Sequence, residues 1–448
     1  MKNLKEKLMK VKFIMIILLF AVTFSTAQDK KWTLKECIDH ALEHNIDIKQ
    51  FELDLENSEI DKSDAIGNFL PSLSGTSTFS ANTGLSQNPT TGILENITQR
   101  TLSAGLNSNV LLFDGLRNVK RLNRAKMSKL AAQYQLDNMK DNISLNVANS
   151  YLQILFNREN LAVARAQYEV TEQDLKRTKE LVESGVVPRG DLLEIEATFA
   201  TQEQQIVNAE NALRLSKIAL AQLLLIDDYE NFDVSDEDYM IPPSTITENT
   251  PKTIYEKALG FRNDIKLSET NVELAKKDVQ IARGAYFPTL NGFFNYNARY
   301  TDQIDSPLIE QFYTFDGISY GVQLNIPIFN RFSTRNNVRR QKINLERTEL
   351  QLVKDKLGLE NTVNQAWFDT KGALKAYEAA EKTLISRKEA FLYAKERFNV
   401  GLMNSFDFSQ AQARLENAEA ELIRTKYDYI FKLKVLEFYF GIPLDEFK

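Results

Sequence analysis

Slid along itself by 217 positions without a gap, the chain falls into register with its own second half. Ala41-Leu42 lies on Ala258-Leu259, Asp47-Ile48-Lys49 on Asp264-Ile265-Lys266, Asp61 on Asp278, Gly67 on Gly284, and Pro71, Leu73 and Gly75 on Pro288, Leu290 and Gly292. One residue is then lost in a loop, and at an offset of 216 Gly105, Asn109, Phe113, Gly185 and Asp191 lie on Gly321, Asn325, Phe329, Gly401 and Asp407. A self-match of this span means two copies of one supersecondary unit. Repeat 1 covers 28–226 and repeat 2 covers 253–448. The joint, 227–252, has seven acids between Asp227 and Asp238 followed by Pro242-Pro243, and is expected to be a solvated linker.

Within each copy the periodicity gives the order helix, strand, strand, helix, helix. In the segment from about Leu116 to Ser184, large residues recur every seven positions at Val147, Ile154, Leu161, Tyr168, Leu175 and Val182, with Ser150, Ala164, Thr171 and Thr178 on another heptad position. Repeat 2 does the same with Val363, Tyr377, Leu384, Phe391 and Phe398 against Ala366, Ala373, Ala380 and Ala394. Large knobs against small residues suit close coiled-coil packing. Gly185 and Gly401 end these helices, and second heptad helices return through Leu192, Phe199, Ile206, Leu213 and Leu220, and through Phe408, Leu415, Leu422, Tyr429 and Leu436. The helix from 116 to 184 would be roughly 100 Å long at 1.5 Å per residue. The shorter helices, about Thr33 to Phe69 and about Pro188 to Leu225, match that length if stacked end to end.

The strands, expected at about 72–82, 101–113, 289–301 and 317–329, alternate with period two. Leu290, Gly292, Phe294, Tyr296, Ala298 and Tyr300 share one face; Asn291, Phe293, Asn295, Asn297 and Arg299 share the other. Ile318, Tyr320, Val322, Leu324, Ile326 and Ile328 lie opposite Ser319, Gly321, Gln323 and Asn325. Segments apolar on one face and rich in Asn, Gln and Ser on the other are the pattern of a transmembrane β-barrel with a wet lumen. The same pattern suits a soluble sheet packed on the helices, but the helical stripes are already spent on one another.

The N-terminus adds weight to the membrane. Lys2, Lys5, Lys7, Lys10 and Lys12 precede the apolar run Phe13 to Phe24 and then Ser25-Thr26-Ala27, which reads as a signal peptide over 1–27. Without that segment the chain carries 50 basic and 60 acidic residues, a net charge of −10, which argues against nucleic acid as a partner. Nothing later is long and apolar enough for a transmembrane helix. The single Cys, Cys37, lies away from the cleavage point, so no lipid anchor is expected. Four strands cannot close a barrel alone, because a spanning sheet must leave no edge and the smallest have eight strands. Two chains would give eight strands and three would give twelve, and the wider barrel leaves an open lumen.

At this point the residues resemble a known family, the TolC-like outer-membrane efflux and secretion channels. The resemblance covers almost the whole mature chain. It rests on the duplicated element order, on Phe69-Leu70-Pro71 and Phe287-Pro288 leading into the strands, and on two helix tips. The tips read Glu180-Leu-Val-Glu-Ser-Gly185 and Glu396-Arg-Phe-Asn-Val-Gly401, each with an aspartate six residues on, Asp191 and Asp407. The resemblance implies an α+β membrane protein: a long antiparallel coiled-coil helical barrel plus four transmembrane strands per chain, closing as a trimeric 12-stranded β-barrel. It implies an exit duct across periplasm and outer membrane for small molecules or polypeptides. It also implies that the tips around Gly185-Val186 and Gly401-Leu402 dock a periplasmic adaptor (membrane fusion protein) serving an inner-membrane pump of RND or ABC type.

In that family the tip is narrowed by an acidic ring and inter-helix links. Asp407 matches the first ring aspartate, but the second position is Gln410, which implies three carboxylates in place of six. The gate tyrosine and arginine correspond to Phe398 and Met403, which cannot hydrogen-bond or pair with Asp191. An apolar plug around Phe398 and Met403 is the expectation for how this tip stays closed. Away from the resemblance, an acid near a helix N-terminus also balances the helix dipole, and both aspartates fit that role.

One enzyme motif is present. His40-Ala-Leu-Glu-His44 fits the H-x-x-E-H zinc pattern, but repeat 2 has Lys257-Ala-Leu-Gly-Phe261 there and the chain has no other His. No metal, cofactor or catalysis is expected. The alternative from another class is a secreted periplasmic coiled-coil scaffold or chaperone without a pore.

Overall fold

The computed structural model describes residues 31–87, 91–235 and 245–442; the expected signal peptide and Pro242-Pro243 lie outside these. The elements in chain order are β1 (Lys31–Trp32), α1 (Leu34–His44), α2 (Ile46–Gly67), β2 (Ser72–Gln87), β3 (Leu94–Phe113), α3 (Arg117–Glu183), α4 (Arg189–Leu223), β4 (Asp233–Val234), α5 (Pro251–Phe261), α6 (Asn263–Gly284), β5 (Thr289–Thr301), α7 (Leu308–Thr314), β6 (Asp316–Asn325), α8 (Ser333–Asn399) and α9 (Ser405–Phe440). Helices at three corresponding places in the two halves have equal lengths. α1 and α5 have 11 residues each, α2 and α6 have 22 each, and α3 and α8 have 67 each. Among the described residues no helix is long and apolar enough to cross a membrane.

The chain divides into two compact units, one of residues 47–139 and 256–362 and one of 1–46, 140–255 and 363–448. The first holds a four-stranded antiparallel sheet in the order β2-β3-β5-β6. Its register aligns the alternation of all four strands. Gly75 pairs with Leu106, Leu106 with Tyr296 and Tyr296 with Ile318 on one face, while Ser74, Asn107, Asn295 and Ser319 line up on the other. Leu73, Phe79, Leu106, Phe294, Ile318, Tyr320, Val322 and Leu324 are exposed within the chain, so most of the apolar face is uncovered, while Ile309, Phe312 and Tyr313 of α7 share a cavity with Leu106, Tyr296 and Ala298 of that face.

Several boundaries differ from expectation. The β2–β3 hairpin is longer than 72–82 and 101–113, running to Gln87 and from Leu94, because polar residues such as Thr83 and Thr98 extend the ladder and join their hydroxyls at 2.9 Å. β6 ends at Asn325, not 329, since Pro327 has no N–H for the ladder. The short helix α7 was not expected from the sequence. Its fully buried Gln311 donates from Nε2 to the carbonyls of Thr301, Ile304 and Ser306 and accepts from the Thr301 N–H, stitching the β5–β6 connection.

Below the sheet, left-handed pairs turn each strand into a long helix: Gly115-Leu116 at φ 71° and 64°, and Arg331-Phe332 at 55° and 62°. The start of α3 is tied to α6 by Arg124, whose Nε and NH2 groups reach Asp278 at 2.6 and 3.3 Å. α8 is tied to α6 by Ser268, which donates to Asp355 at 2.5 Å, and by Lys356 to Glu269 at 2.8 Å.

The second unit is a helical assembly with a two-stranded parallel ribbon, β1 with β4. The heptads pack as the sequence implies. Val147 and Ile154 are fully buried, with Thr171 and Thr178 on the small-residue position. Burying such a side chain contributes about 1.5–3 kcal/mol. The acidic joint is not simply solvated. Phe232, Val234 and Ile246 are buried, Asp233 pairs with Arg158 and Lys217, and Tyr151 Oη lies 2.9 Å from Ser235 Oγ. The alternation of apolar and charged residues over 232–234 lets one face enter the core. The first expected helix, Thr33 to Phe69, is also two helices. Asn45 takes an extended conformation (φ −59°, ψ 135°) and donates from Nδ2 to the Leu223 carbonyl at 3.3 Å.

Candidate functional site

The residues singled out at the helix tips all belong to the second unit. Each long helix ends in the same hydrogen-bond pattern. The Val186 and Leu402 N–H groups bond the carbonyls of Leu181 and Arg397, while Gly185 and Gly401 bond those of Val182 and Phe398. This is the Schellman closure, which needs a left-handed residue, and Gly185 and Gly401 sit at φ 76° and 74°. The turns present Val186 and Leu402 to solvent at 67% and 68% exposure, and a Cβ on either glycine would meet no atom within 4 Å. Two open, apolar-tipped turns of identical geometry result.

Asp407 lies in the first turn of α9 and is exposed. Its N–H donates to Asn404 Oδ1 at 2.8 Å, and Asn404 Nδ2 donates back to Asp407 Oδ2 at 3.0 Å. The carboxylate therefore completes a helix cap while remaining at the surface. Gln410 follows one turn on, and its Oε1 accepts from Arg414 at 2.7 Å.

Asp191, in the first turn of α4, has a partner that the sequence did not offer. Ser405 Oγ donates to Asp191 Oδ1 at 2.5 Å, joining the start of α9 to the start of α4. Ser405 is 2% exposed. Phe398 stacks on Phe408 at 4.5 Å and 8°, and Phe391 stacks on the other side of the same ring at 5.7 Å. Phe408 is fully buried between them, so this aromatic ladder locks α8 to α9.

Behind the tips runs a polar seam that was not expected. Gln412 donates to Thr171 at 2.7 Å, Gln202 to Glu416 at 2.6 Å and Gln167 to Glu419 at 2.5 Å. Burial pushes the Glu416 carboxyl above the usual carboxylate range, against the pull of Gln202 and Gln412. Asp174 is also raised by burial, against the pull of Lys395 and Arg177, and its Oδ2 is buried without a hydrogen bond. Amide and hydroxyl residues on heptad positions were the available signal, but their pairing depends on helix order.

The zinc pattern does not converge. His40 and His44 stack at 4.2 Å with Trp32 against His40, and the Nδ1 of His44 lies 3.1 Å from the His40 carbonyl. Among the described residues there is no group of three His, Cys, Asp or Glu placed to hold a metal.

Comparison with known proteins gives concordant results. The family model described as outer membrane efflux protein matches residues 37–224 and 254–441, one match per repeat. The chain is 27% identical over 341 residues to outer membrane protein TolC of Vibrio cholerae, covering 74% of this chain and 75% of that protein. It is 23% identical to the alkaline protease secretion protein AprF of Pseudomonas aeruginosa, covering 67% of this chain and 62% of that protein. The fold matches the CmeC outer membrane channel of Campylobacter jejuni with a TM-score of 0.75 at 20% identity, covering 91% of this chain and 85% of that one.

Proposed function

The chain belongs to the outer membrane efflux protein family, and from that premise we propose that it is the exit duct of a tripartite efflux pump or type I secretion system. Three chains close their sheets into a 12-stranded barrel across the outer membrane, and their helices form a tunnel in the periplasm. The observation that carries this reading is the sheet. Four strands align one apolar face, most of which is exposed within the chain, and β2 and β6 stand at its ends with one edge of backbone groups unpaired. A lipid-facing wall accounts for the first property and closure between chains for the second.

The tips carry the two remaining roles. Val186 and Leu402, on the Schellman turns, form apolar knobs for the hairpins of a periplasmic adaptor, which couples the duct to an inner-membrane pump of RND or ABC type. Asp407 supplies the acidic ring at the constriction. Gln410, bound to Arg414, moderates its field, and the Ser405–Asp191 bond replaces the family's tyrosine and arginine links to Asp191. A passive duct needs no cofactor.

Membrane fractionation tests the core of this reading. The protein is expected in the outer membrane, extractable only with detergent, with a trimer mass in detergent solution. Recovery as a soluble species after lysis would instead support a periplasmic scaffold.

A further inference from the structure

The two repeats part company at the turn end of the sheet. In repeat 1 the hairpin runs on to Gln87 and resumes at Leu94, whereas in repeat 2 β5 stops at Thr301, β6 starts at Asp316, and the chain between them holds α7. Gln311 anchors that helix through the backbone of Thr301, Ile304 and Ser306. Its other large side chains are apolar apart from Glu310, and Leu308, Ile309 and Tyr313 are exposed.

Between α7 and the apolar face of the sheet lies a cavity of about 600 Å³, a volume ordinary for a ligand site. Ile309, Phe312 and Tyr313 form its roof, and no charged residue lines it. The register explains its floor. Ser77 pairs with Ala104 and Ala104 with Ala298, so short side chains lie side by side on β2, β3 and β5. The next row toward the turn is large, with Phe79, Leu102 and Tyr300, and so is the row on the other side, with Leu106, Tyr296 and Ile318. The hollow is therefore bounded by large residues on both sides and by α7 above.

Beyond the row of Leu102 the same face turns polar at Arg100. The Arg100 N–H and Gln303 Nε2 donate to Asp302 Oδ1 at 2.9 and 2.8 Å, but the guanidinium reaches Asp302 Oδ2 only at 3.5 Å. With five N–H donors and 61% exposure, the Arg100 side chain keeps donors for a further acceptor. From Ala104 to Arg100 is roughly 13 Å along the strand, or about 9 Å of depth at a tilt of about 45°. One leaflet of hydrocarbon is about 15 Å thick. A cation at headgroup level thus stands above an apolar cavity at acyl-chain depth.

We propose that the cavity holds an acyl chain of a phosphate-bearing lipid from the extracellular leaflet, with the Arg100 guanidinium on the phosphate. This rests on the closed-barrel reading above, which turns the apolar face to the bilayer. A lipid is the occupant because the cavity is continuous with that lipid-facing wall and uncharged, while the arginine above it matches a phosphate in charge and donor geometry. Left empty, the space would cost α7 the contacts that hold its apolar side to the sheet. The lipid chain completes that packing.

The test extracts the full-length protein in mild detergent and weighs it by native mass spectrometry. It is then stripped of lipid and titrated with dioleoylphosphatidylglycerol or with dioleoylglycerol, which lacks the phosphate. The wild-type oligomer is expected to retain a phosphate-bearing lipid, whose mass tells a phospholipid from a heavier phosphorylated glycolipid, and to bind dioleoylglycerol several-fold more weakly than dioleoylphosphatidylglycerol. Ala104→Leu with Ala298→Leu fills the floor and is expected to bind neither. Phe312→Ser, which leaves the sheet untouched, is expected to weaken both, and Arg100→Gln to bind the two alike. A wild-type oligomer that retains and rebinds no lipid or does not discriminate between the two, or a filled oligomer of wild-type mass that binds as the wild type does, overturns the site and leaves the channel reading standing. Recovery as a soluble protein without detergent overturns both.

Discussion

Ser405→Ala is the sharpest perturbation of the tip. The Ser405 hydroxyl donates across 2.5 Å to Asp191, and the serine is 2% exposed, so water does not readily replace the lost donor. A hydrogen bond to a charged group contributes about 1.5–3 kcal/mol. If opening of the tip separates the start of α9 from the start of α4, removing this bond raises the open-to-closed ratio per chain by roughly 10- to 100-fold, at 1.4 kcal/mol per factor of ten. Single-channel recording in planar bilayers reads this directly as open probability, and uptake of a bulky antibiotic reads it in cells. Ser405→Thr, which keeps the hydroxyl, is expected to stay closed. Asp191→Asn, which keeps an acceptor but loses its charge, is expected to fall between. An unchanged open probability for Ser405→Ala, in a protein of wild-type melting temperature, would refute the assignment of this bond as a latch.

Asp407→Asn keeps an acceptor for the cap with Asn404 but removes the ring charge, so cation selectivity is expected to fall while thermal stability holds; equal selectivity would remove Asp407 from the constriction. Asp174 and Glu416 both have raised folded pKa values because burial disfavours their charged forms. Between the usual carboxylate range and those raised values the folded protein binds more protons than the unfolded chain, so stability falls as pH rises through that window. Melting curves in detergent from mild acid to neutral pH are expected to show this slope, and Asp174→Asn to flatten it. Gly401→Ala meets only a backbone cost of about 1–2 kcal/mol for its left-handed conformation. Gly284→Ala is expected to be worse, because its Cβ would meet the Arg117 side chain and, at 3.0 Å, the Gly115 carbonyl; the two melting temperatures decide.

What could be read from the sequence follows from the range of each signal. The seven-residue spacing through Val147 and Ile154, and the alternation through Leu290 to Tyr300, are local, and both elements are present. The helix break at Asn45, the strand at Asp233 and the clamp of Gln311 escaped because each is settled by distant partners: the Leu223 carbonyl, the pair Arg158 and Lys217, and the Thr301 backbone. Pro327 was a local signal against the last residues of the expected β6, and alternation alone overran it.

The tip shows most clearly where a sequence match stops informing. By the repeat, Pro188 corresponds to Asn404 and Arg189 to Ser405. These neighbouring substitutions divide the work between the two copies. Asn404 gives α9 a side-chain cap, whereas Pro188 gives α4 none. The first turn of α9 is therefore fixed by its own residues, and the Ser405 hydroxyl is held in place whether or not Asp191 is there to accept from it. α4 has no such local support, so its start depends on the bond it receives. Looking for partners of Asp191 only at the family's positions finds Phe398 and Met403, neither able to bond it, and leads to the expectation of an apolar plug. The bond proposed as a latch instead comes from a divergence between the two copies, Ser405 standing where repeat 1 has Arg189. It follows that Ser405→Ala should release the start of α4 and leave α9 ordered, so a loss of helical signal from both helices would count against this division.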